Sequence, residues 1–232
     1  MVHQATCFAD ALSAWENWNL TAFDKKCEYL LLFKRELEKN RQDLARVMTY
    51  HLEHASSLLA QPYCLVGPTG ETNELYTAGR GVALMLQEEH SQAGQWAMFA
   101  QLVCALVAGN SVIICSDDRQ LTALLHSVVQ SVSLPINLLQ LTSLDAYQTL
   151  IESDVRSVGY VGHRARERLL NRQLAKHSGA IINLVSETDF IQLPTAYDPH
   201  LSLRFITERT RTINITAVGG NATLLELGSE SH

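Results

Sequence analysis

The sequence predicts a three-layer α/β fold, a parallel sheet covered by helices on both faces, with helices ahead of it and a β-hairpin arm behind it. Three observations carry this expectation. Apolar runs without alternation (GVALML at 81–86, SVIIC at 111–115 and AIINLV at 180–185) have the pattern of strands buried on both faces, the usual condition of a parallel sheet. Segments with apolar residues at helical spacing separate those runs, so strand and helix alternate. Near the end, Thr210, Thr212, Asn214 and Thr216 alternate with Arg211, Ile213 and Ile215, the two-residue period of a half-buried strand.

The first sixty residues are predicted to be helical. Residues 11–18 end a first segment. Thr21 with Asp24 gives a capping-box-like start to a second, whose apolar positions include Cys27, Leu30, Leu31 and Leu37. Asn40 with Asp43 opens a third, where Leu44, Val47, Met48, Ala55, Leu58 and Leu59 share one face. His51 and His54 flank Glu53 there; with no third ligand at useful spacing, they are expected to be a surface pair and no metal site.

Residues 62–71 form a loop punctuated by Gly67, Pro68 and Gly70, and 72–78 a short extended segment before a break at Gly79 and Gly81. The main alternation follows: strand 81–86, helix 92–107 ending at Gly109, strand 111–115, helix 118–132 and strand 136–141 after Pro135. Thr142 with Asp145 caps a short helix running to Ile151, and strand 155–161, helix 163–176 and strand 180–185 complete the series. This is a Rossmann-like sheet of the dinucleotide-binding type. After the linker with Pro194 and Pro199, extended segments 203–207 and 210–216 are expected to pair as a hairpin outside that sheet. The organisation is therefore a helical segment over 1–60 packed on the core, a Rossmann-like unit over 61–192, and a linker, hairpin arm and docking motif over 193–232.

With 47% hydrophobic residues the chain can bury one substantial core. No apolar segment is long enough to span a bilayer and no basic amino terminus precedes an apolar run, so membrane insertion and secretion are not expected and the cytoplasm is the expected location. Cys7, Cys27, Cys64, Cys104 and Cys115 are odd in number, scattered and without a CxxC pair, which argues against a disulfide framework and a zinc site. A net charge of −6 argues against sequence-independent nucleic-acid binding. One basic run, Arg164, Arg166, Arg168, Arg172 and Lys176 against Glu167, admits a phosphate-binding helix. A solvated outer face, with Leu169, Leu170 and Leu174 as its buried stripe, is the favoured account.

Several strings resemble the aldehyde dehydrogenase superfamily, and in particular the dehydrogenase part of the proline utilization A family of bifunctional enzymes. ALSAWENW resembles the family's amino-terminal helices, GPTGETNEL the loop before its sheet, ALVAGNSVII its AGN segment, VGYVGH the strand and turn at the cofactor, and LVSETDF the strand that ends in a catalytic glutamate. The terminal TERTRTINITAVGGNATLLELG is similar to the family's carboxy-terminal motif and is the most specific of these. The resemblance covers nearly the whole chain, but the chemistry-bearing positions depart from it. Residues 87–95, QEEHSQAGQ, lack the turn whose asparagine holds the oxyanion. Cys115, followed by Ser116, Asp117 and Asp118, stands where a lysine reaches the cofactor ribose, and a thiol cannot supply that cation. Gly162 keeps its turn, but His163 replaces the serine near the pyrophosphate. Glu187 matches the catalytic base, yet Asp189 and Phe190 replace the glycines after it, and the short stretch from Glu187 to the arm leaves no room for the catalytic domain with its nucleophilic cysteine.

The resemblance thus implies a non-catalytic domain of a proline-catabolic dehydrogenase polypeptide. It would pack on the catalytic aldehyde dehydrogenase domain and help seal the tunnel that carries the proline-oxidation product. No catalytic residue is assigned, and no cofactor is expected at the degenerate positions Cys115, Asp118, Gly162, His163 and Glu187. Without a nucleophile to serve, Glu187 is expected to be a helix cap or surface remnant. Docking falls to Thr210, Thr212, Asn214, Thr216, Gly219, Gly220 and Asn221, and a homodimer through residues 210–216 is a further expectation. The alternatives are a module that still binds NAD or NADP beside a partner's catalytic domain, and a dehydrogenase with a different chemistry, for which no Cys/His or Ser/His/Asp set is present.

Overall fold

The computed structural model describes residues 2–66 and 71–214. Three helices lead, α1 (Val2–Leu20), α2 (Phe23–Glu38) and α3 (Gln42–Leu59), followed by strands β1 (Tyr63–Val66) and β2 (Glu71–Gly79). The alternating part comprises β3 (Val82–Gln87), α4 (Gln92–Val107), β4 (Ser111–Ser116), α5 (Arg119–Ser131), β5 (Leu139–Thr142), α6 (Tyr147–Leu150), β6 (Ser157–Val161), α7 (Arg164–Leu174) and β7 (Asn183–Glu187); β8 (Ile206–Asn214) comes last.

Strands β3 to β7 form one parallel sheet in the order β5-β4-β3-β6-β7. Their apolar runs lack alternation because both faces are covered, and successive residues feed two separate cores. Ala83, Met85, Val112 and Ile114 pack with Leu44, Met48 and Phe99 of α3 and α4. Val82, Leu84, Leu86, Ile113 and Cys115 pack on the other side with Leu150, Leu170 and Leu174 of α6 and α7 and with Ala11 of α1. The expected three-layer α/β architecture is what forms.

Several boundaries differ from expectation for local reasons. Residues 136–138 are a turn, with Asn137 at φ 61° and Ile136 exposed, so β5 starts only at Leu139. The last strand begins at Asn183 rather than 180, leaving Ile181 exposed. Neither expected capping box forms. The cap positions fall on Ala22 and Arg41, one residue after Thr21 and Asn40. Thr21 instead donates to the Asn17 carbonyl at the end of α1. The turn of 3₁₀ helix ahead of α6 is headed by Ser143 rather than Thr142. Leu169 is exposed, so the buried stripe of α7 is Leu170 and Leu174.

The arm takes a form that the sequence did not indicate. Residues 63–66, expected to be loop, are strand β1, which pairs antiparallel with β2. Residues 203–207 do not pair as a hairpin with the described part of the second segment, 210–214: a 3₁₀ turn at Leu201–Phe205 leads into the single strand β8, which pairs antiparallel with β2 over Ile206 to Asn214. The result is a separate three-stranded sheet, β1-β2-β8. The Thr/Ile alternation holds, with Thr210 and Thr212 opposite Leu75 and Asn73 on one face and Arg211 opposite Glu74 on the other. Half-burial does not: residues 208–213 are exposed on both faces.

Candidate functional site

The two ends of the parallel sheet are built differently. At its amino end the AGN string does structural work. Asn110, fully buried, accepts hydrogen bonds from the amides of Arg80 (2.8 Å) and Gly81 (3.1 Å) and donates to the carbonyls of Ala105 and Phe205 (2.9 Å each). One side chain thus ties the β2–β3 link, the last turn of α4 and the entry to β8. Gly109 sits at φ +99°, and a Cβ on Gly79 would lie 2.3 Å from the Gly109 carbonyl oxygen, so both glycines are required by the backbone. Lys26 packs against the same corner, its Nζ donating to the Asn19 carbonyl, and burial pushes its amine down to about 8.

At the carboxyl end lies the switch point, where the chain turns from building β3-β4-β5 to adding β6 and β7 on the other side of β3. In open parallel sheets ligands settle there. Here the protein's own side chains fill the place. Gln87, at the end of β3 and fully buried, accepts from the Ser116 hydroxyl (2.9 Å) and donates to the Glu89 carbonyl (3.0 Å). Asp118 caps α5 by accepting from the amides of Gln120 and Leu121 (3.0 Å each) and also accepts from the Gln95 amide (2.7 Å). Gln95 accepts in turn from Arg41 (2.9 Å), and Arg41 holds Asp43 through two bonds of 2.8 Å while the Trp96 indole donates to the same carboxylate (2.8 Å). The Arg41 guanidinium keeps the Asp43 carboxyl well below the usual carboxylate range. This network joins the starts of α3, α4 and α5, where the resemblance places an oxyanion turn.

Across the switch point, the Tyr160 hydroxyl donates to Glu88 (2.7 Å) and Arg166 lies 3.4 Å from the same carboxylate. A Cβ on Gly162 would sit 2.4 Å from the Tyr160 hydroxyl and 3.1 Å from Glu88 Cβ. Side chains therefore already occupy the space beside the glycine turn that the resemblance assigns to a pyrophosphate. His163 is exposed at the start of α7, where it caps nothing through its side chain. Cys115 faces the opposite core, packed with the α6 and α7 residues, and burial drives its thiol far up. Asp118 is committed to α5 and to Gln95. These side chains therefore do not make the contacts that the resemblance assigns to their positions.

Glu187 corrects an expectation. It is neither a helix cap nor a surface remnant, being 1% exposed. One carboxylate oxygen accepts from the amides of Thr188 (3.0 Å) and Asp189 (3.1 Å), and the other from those of Thr195 (2.8 Å) and Ala196 (3.2 Å). The carboxylate thus closes the 188–196 loop on itself, with Asp189 adding an Asx-type turn to Ile191 and Gln192.

The thiols of Cys7, Cys27, Cys104 and Cys115 are shifted away from the depressed pKa that an activated nucleophile needs. Burial raises Cys104 and Cys115, raises Cys7, and lifts Cys27 to about 11; Cys64 is exposed on β1 of the arm. Among the described residues no group of three or more His, Cys, Asp or Glu could hold a metal ion, and no helix is long and apolar enough to cross a membrane.

His51 is likewise not on the surface: it is 2% exposed, its Nε2 is 2.9 Å from the Ala196 carbonyl, and burial pushes its pKa down to about 4. Spacing could have shown this, since His51 falls three residues after Met48 and four before Ala55 on the buried stripe. Beside it lies a cleft of about 320 Å³ between α3, the start of α4 and the 193–197 segment, which the sequence did not indicate. Of the docking positions, Thr210 and Thr212 lie exposed on β8, Thr212 donating to Asn73, and Asn214 ends the strand. Thr216, Gly219, Gly220 and Asn221, like the Gly67, Pro68 and Gly70 turn, lie outside the described residues.

No protein-family model matches the chain. It is 30% identical over 180 residues to the bifunctional protein PutA of Rhizobium meliloti, a match covering 75% of this chain and 13% of that protein. A variant of proline utilization A from Bradyrhizobium japonicum superposes with a TM-score of 0.63 at 25% identity, covering 83% of this chain and 23% of that one. A lactaldehyde dehydrogenase superposes with a TM-score of 0.64 at 14% identity, over 80% of this chain and 43% of that one, which shows a shared fold. This chain therefore spans about an eighth of the curated relative it matches. The chain is thus a proline-utilization-A-like domain with the aldehyde dehydrogenase fold.

Proposed function

We propose that this domain does no chemistry of its own and serves as a packing and sealing element for the catalytic dehydrogenase domain of a longer, cytoplasmic proline-catabolic polypeptide. The observation that carries this reading is the closed carboxyl end of the sheet: Tyr160 and Glu88 fill the space beside Gly162, and Glu187 spends both carboxylate oxygens on its own loop. A base whose lone pairs are committed to four amides has no free geometry for a substrate proton. The nucleotide-module alternative has against it this occupancy and the carboxylates of Glu88, Glu89, Asp117 and Asp118 at the same end of the sheet, which repel a pyrophosphate.

The arm supplies the contact. Residues 208–213 of β8 are exposed on both faces, β8 pairs on one edge only among the described residues, and Tyr63, Leu65, Tyr76 and Ile213 leave apolar surface uncovered. A ribbon of this kind gains by laying its free edge or faces on a partner sheet, and an isolated copy would pair with a second one through the same edge. Deleting residues 210–228 from the full polypeptide should let the intermediate escape, lengthening the lag in coupled product formation; an unchanged lag would contradict the sealing role.

A further inference from the structure

We infer that the cleft between α3 and the 193–197 segment is a binding site for a small monocarboxylate with a flat apolar body. This goes beyond the proposed packing role and does not depend on it. Four residues of α3 at helical spacing, Asp43, Arg46, Val47 and Tyr50, form one wall, and Leu193 and Tyr197 form the other. The volume, about 320 Å³, lies in the range of small-molecule sites, roughly 300–1,000 Å³.

The walls are fixed before any ligand arrives. The Trp96 indole is held by Asp43, the Tyr50 hydroxyl donates to the Tyr197 carbonyl (2.8 Å), and His51 is bonded to the Ala196 carbonyl. Tyr50 is also wedged edge-on against the rings of His51 and His54, with centroids 5.0 and 4.5 Å apart. The 193–197 wall continues the loop that Glu187 ties down, with the Thr195 and Ala196 amides bound to its carboxylate. Because these polar atoms satisfy one another, what faces the cleft is mainly aromatic and aliphatic surface, suited to a planar ring.

Charge then selects the ligand. Asp43 is neutralised by Arg41, and Asp198 nearby is paired with Arg204. His51 is neutral near pH 7, its pKa lying at about 4. Arg46 is exposed at the rim and its side chain makes no hydrogen bond or ion pair with any described residue, which leaves its guanidinium as the uncompensated charge of the cleft. A planar guanidinium over an aromatic slot matches a carboxylate carried on a flat ring.

Calorimetric titration of the full chain with benzoate, benzylamine and benzyl alcohol, three probes of one shape and different charge, tests this assignment. Benzoate should bind saturably and at least tenfold more tightly than benzylamine. Arg46→Ala, at an exposed position with no described partner to lose, should weaken benzoate at least tenfold and leave benzyl alcohol within twofold, while the indole N–H resonance of Trp96 shifts on titration with benzoate. Benzoate and benzylamine binding within twofold of each other, an Arg46→Ala chain that binds benzoate normally, or no binding of benzoate would each overturn it.

Discussion

The amino and carboxyl ends of the parallel sheet have been treated oppositely. At the amino end, Asn110, Gly109, Gly79 and Lys26 make a dense joint between the β2–β3 link, α4 and the entry to β8. At the carboxyl end, Gln87, Ser116, Asp118, Gln95 and Arg41 form a connected network where the family resemblance places cofactor and oxyanion contacts, and Tyr160 with Glu88 fills the remaining space. A fold can thus be retained by keeping the joints between its layers while the crevice at its switch point is closed from within. Likeness in the joints then shows the fold, and only the crevice speaks for function.

The largest expected effect lies at the amino end. Asn110→Ala removes four buried hydrogen bonds at once and leaves the Arg80 and Gly81 amides and the Phe205 carbonyl without that partner, while the Ala105 carbonyl keeps the backbone amide of residue 110, so urea unfolding should report a loss of about 4 kcal/mol over the whole molecule. A loss below about 1 kcal/mol would break the contrast by showing that the joint is dispensable.

Next comes Glu187→Gln, which keeps the size but turns an N–H₂ toward two amide donors. A loss of about 2 to 3 kcal/mol is expected. It should be local, with hydrogen exchange accelerating in 188–196 and not in β3 or β4. Uniform acceleration would mean that the loop is part of the global core.

His51 gives a pH dependence of up to about 3 kcal/mol, from a pKa of about 4 in the folded state against about 6.5 in the unfolded one. Between those values the unfolded chain binds more protons, so stability is fully present above pH 6.5, declines as pH falls, and is lost below about 4. The His51→Gln variant should show a flatter stability profile across that window; an unchanged slope would place the acid sensitivity elsewhere. The smallest effect is Asp118→Asn, which keeps the α5 cap and replaces one acceptor toward Gln95 and Gln87, for a loss of about 1 kcal/mol by thermal melting.

The layer order was legible because buried parallel strands announce themselves as unbroken Val, Ile and Leu runs, as at 111–116 and 82–87. The arm was not: β1 is four residues long and its partner β2 is completed by a strand more than 120 residues later, a pairing that no local pattern encodes. The fate of Glu187 was hidden for a related reason, since the four amides that hold it come from a loop whose path the sequence does not fix. Tyr160 and Glu88 lie 72 positions apart and meet only through the β3–β6 pairing. The replaced positions at Cys115 and His163 were visible as departures, but what now fills the crevice required coordinates.

Calorimetric titration of the chain with NAD, repeated with NADP, tests the central claim most directly. A crevice closed by Tyr160, Glu88 and the Gln87–Asp118 network predicts no saturable heat at millimolar nucleotide. Saturable binding at micromolar concentration would contradict it and give the nucleotide-binding reading first place.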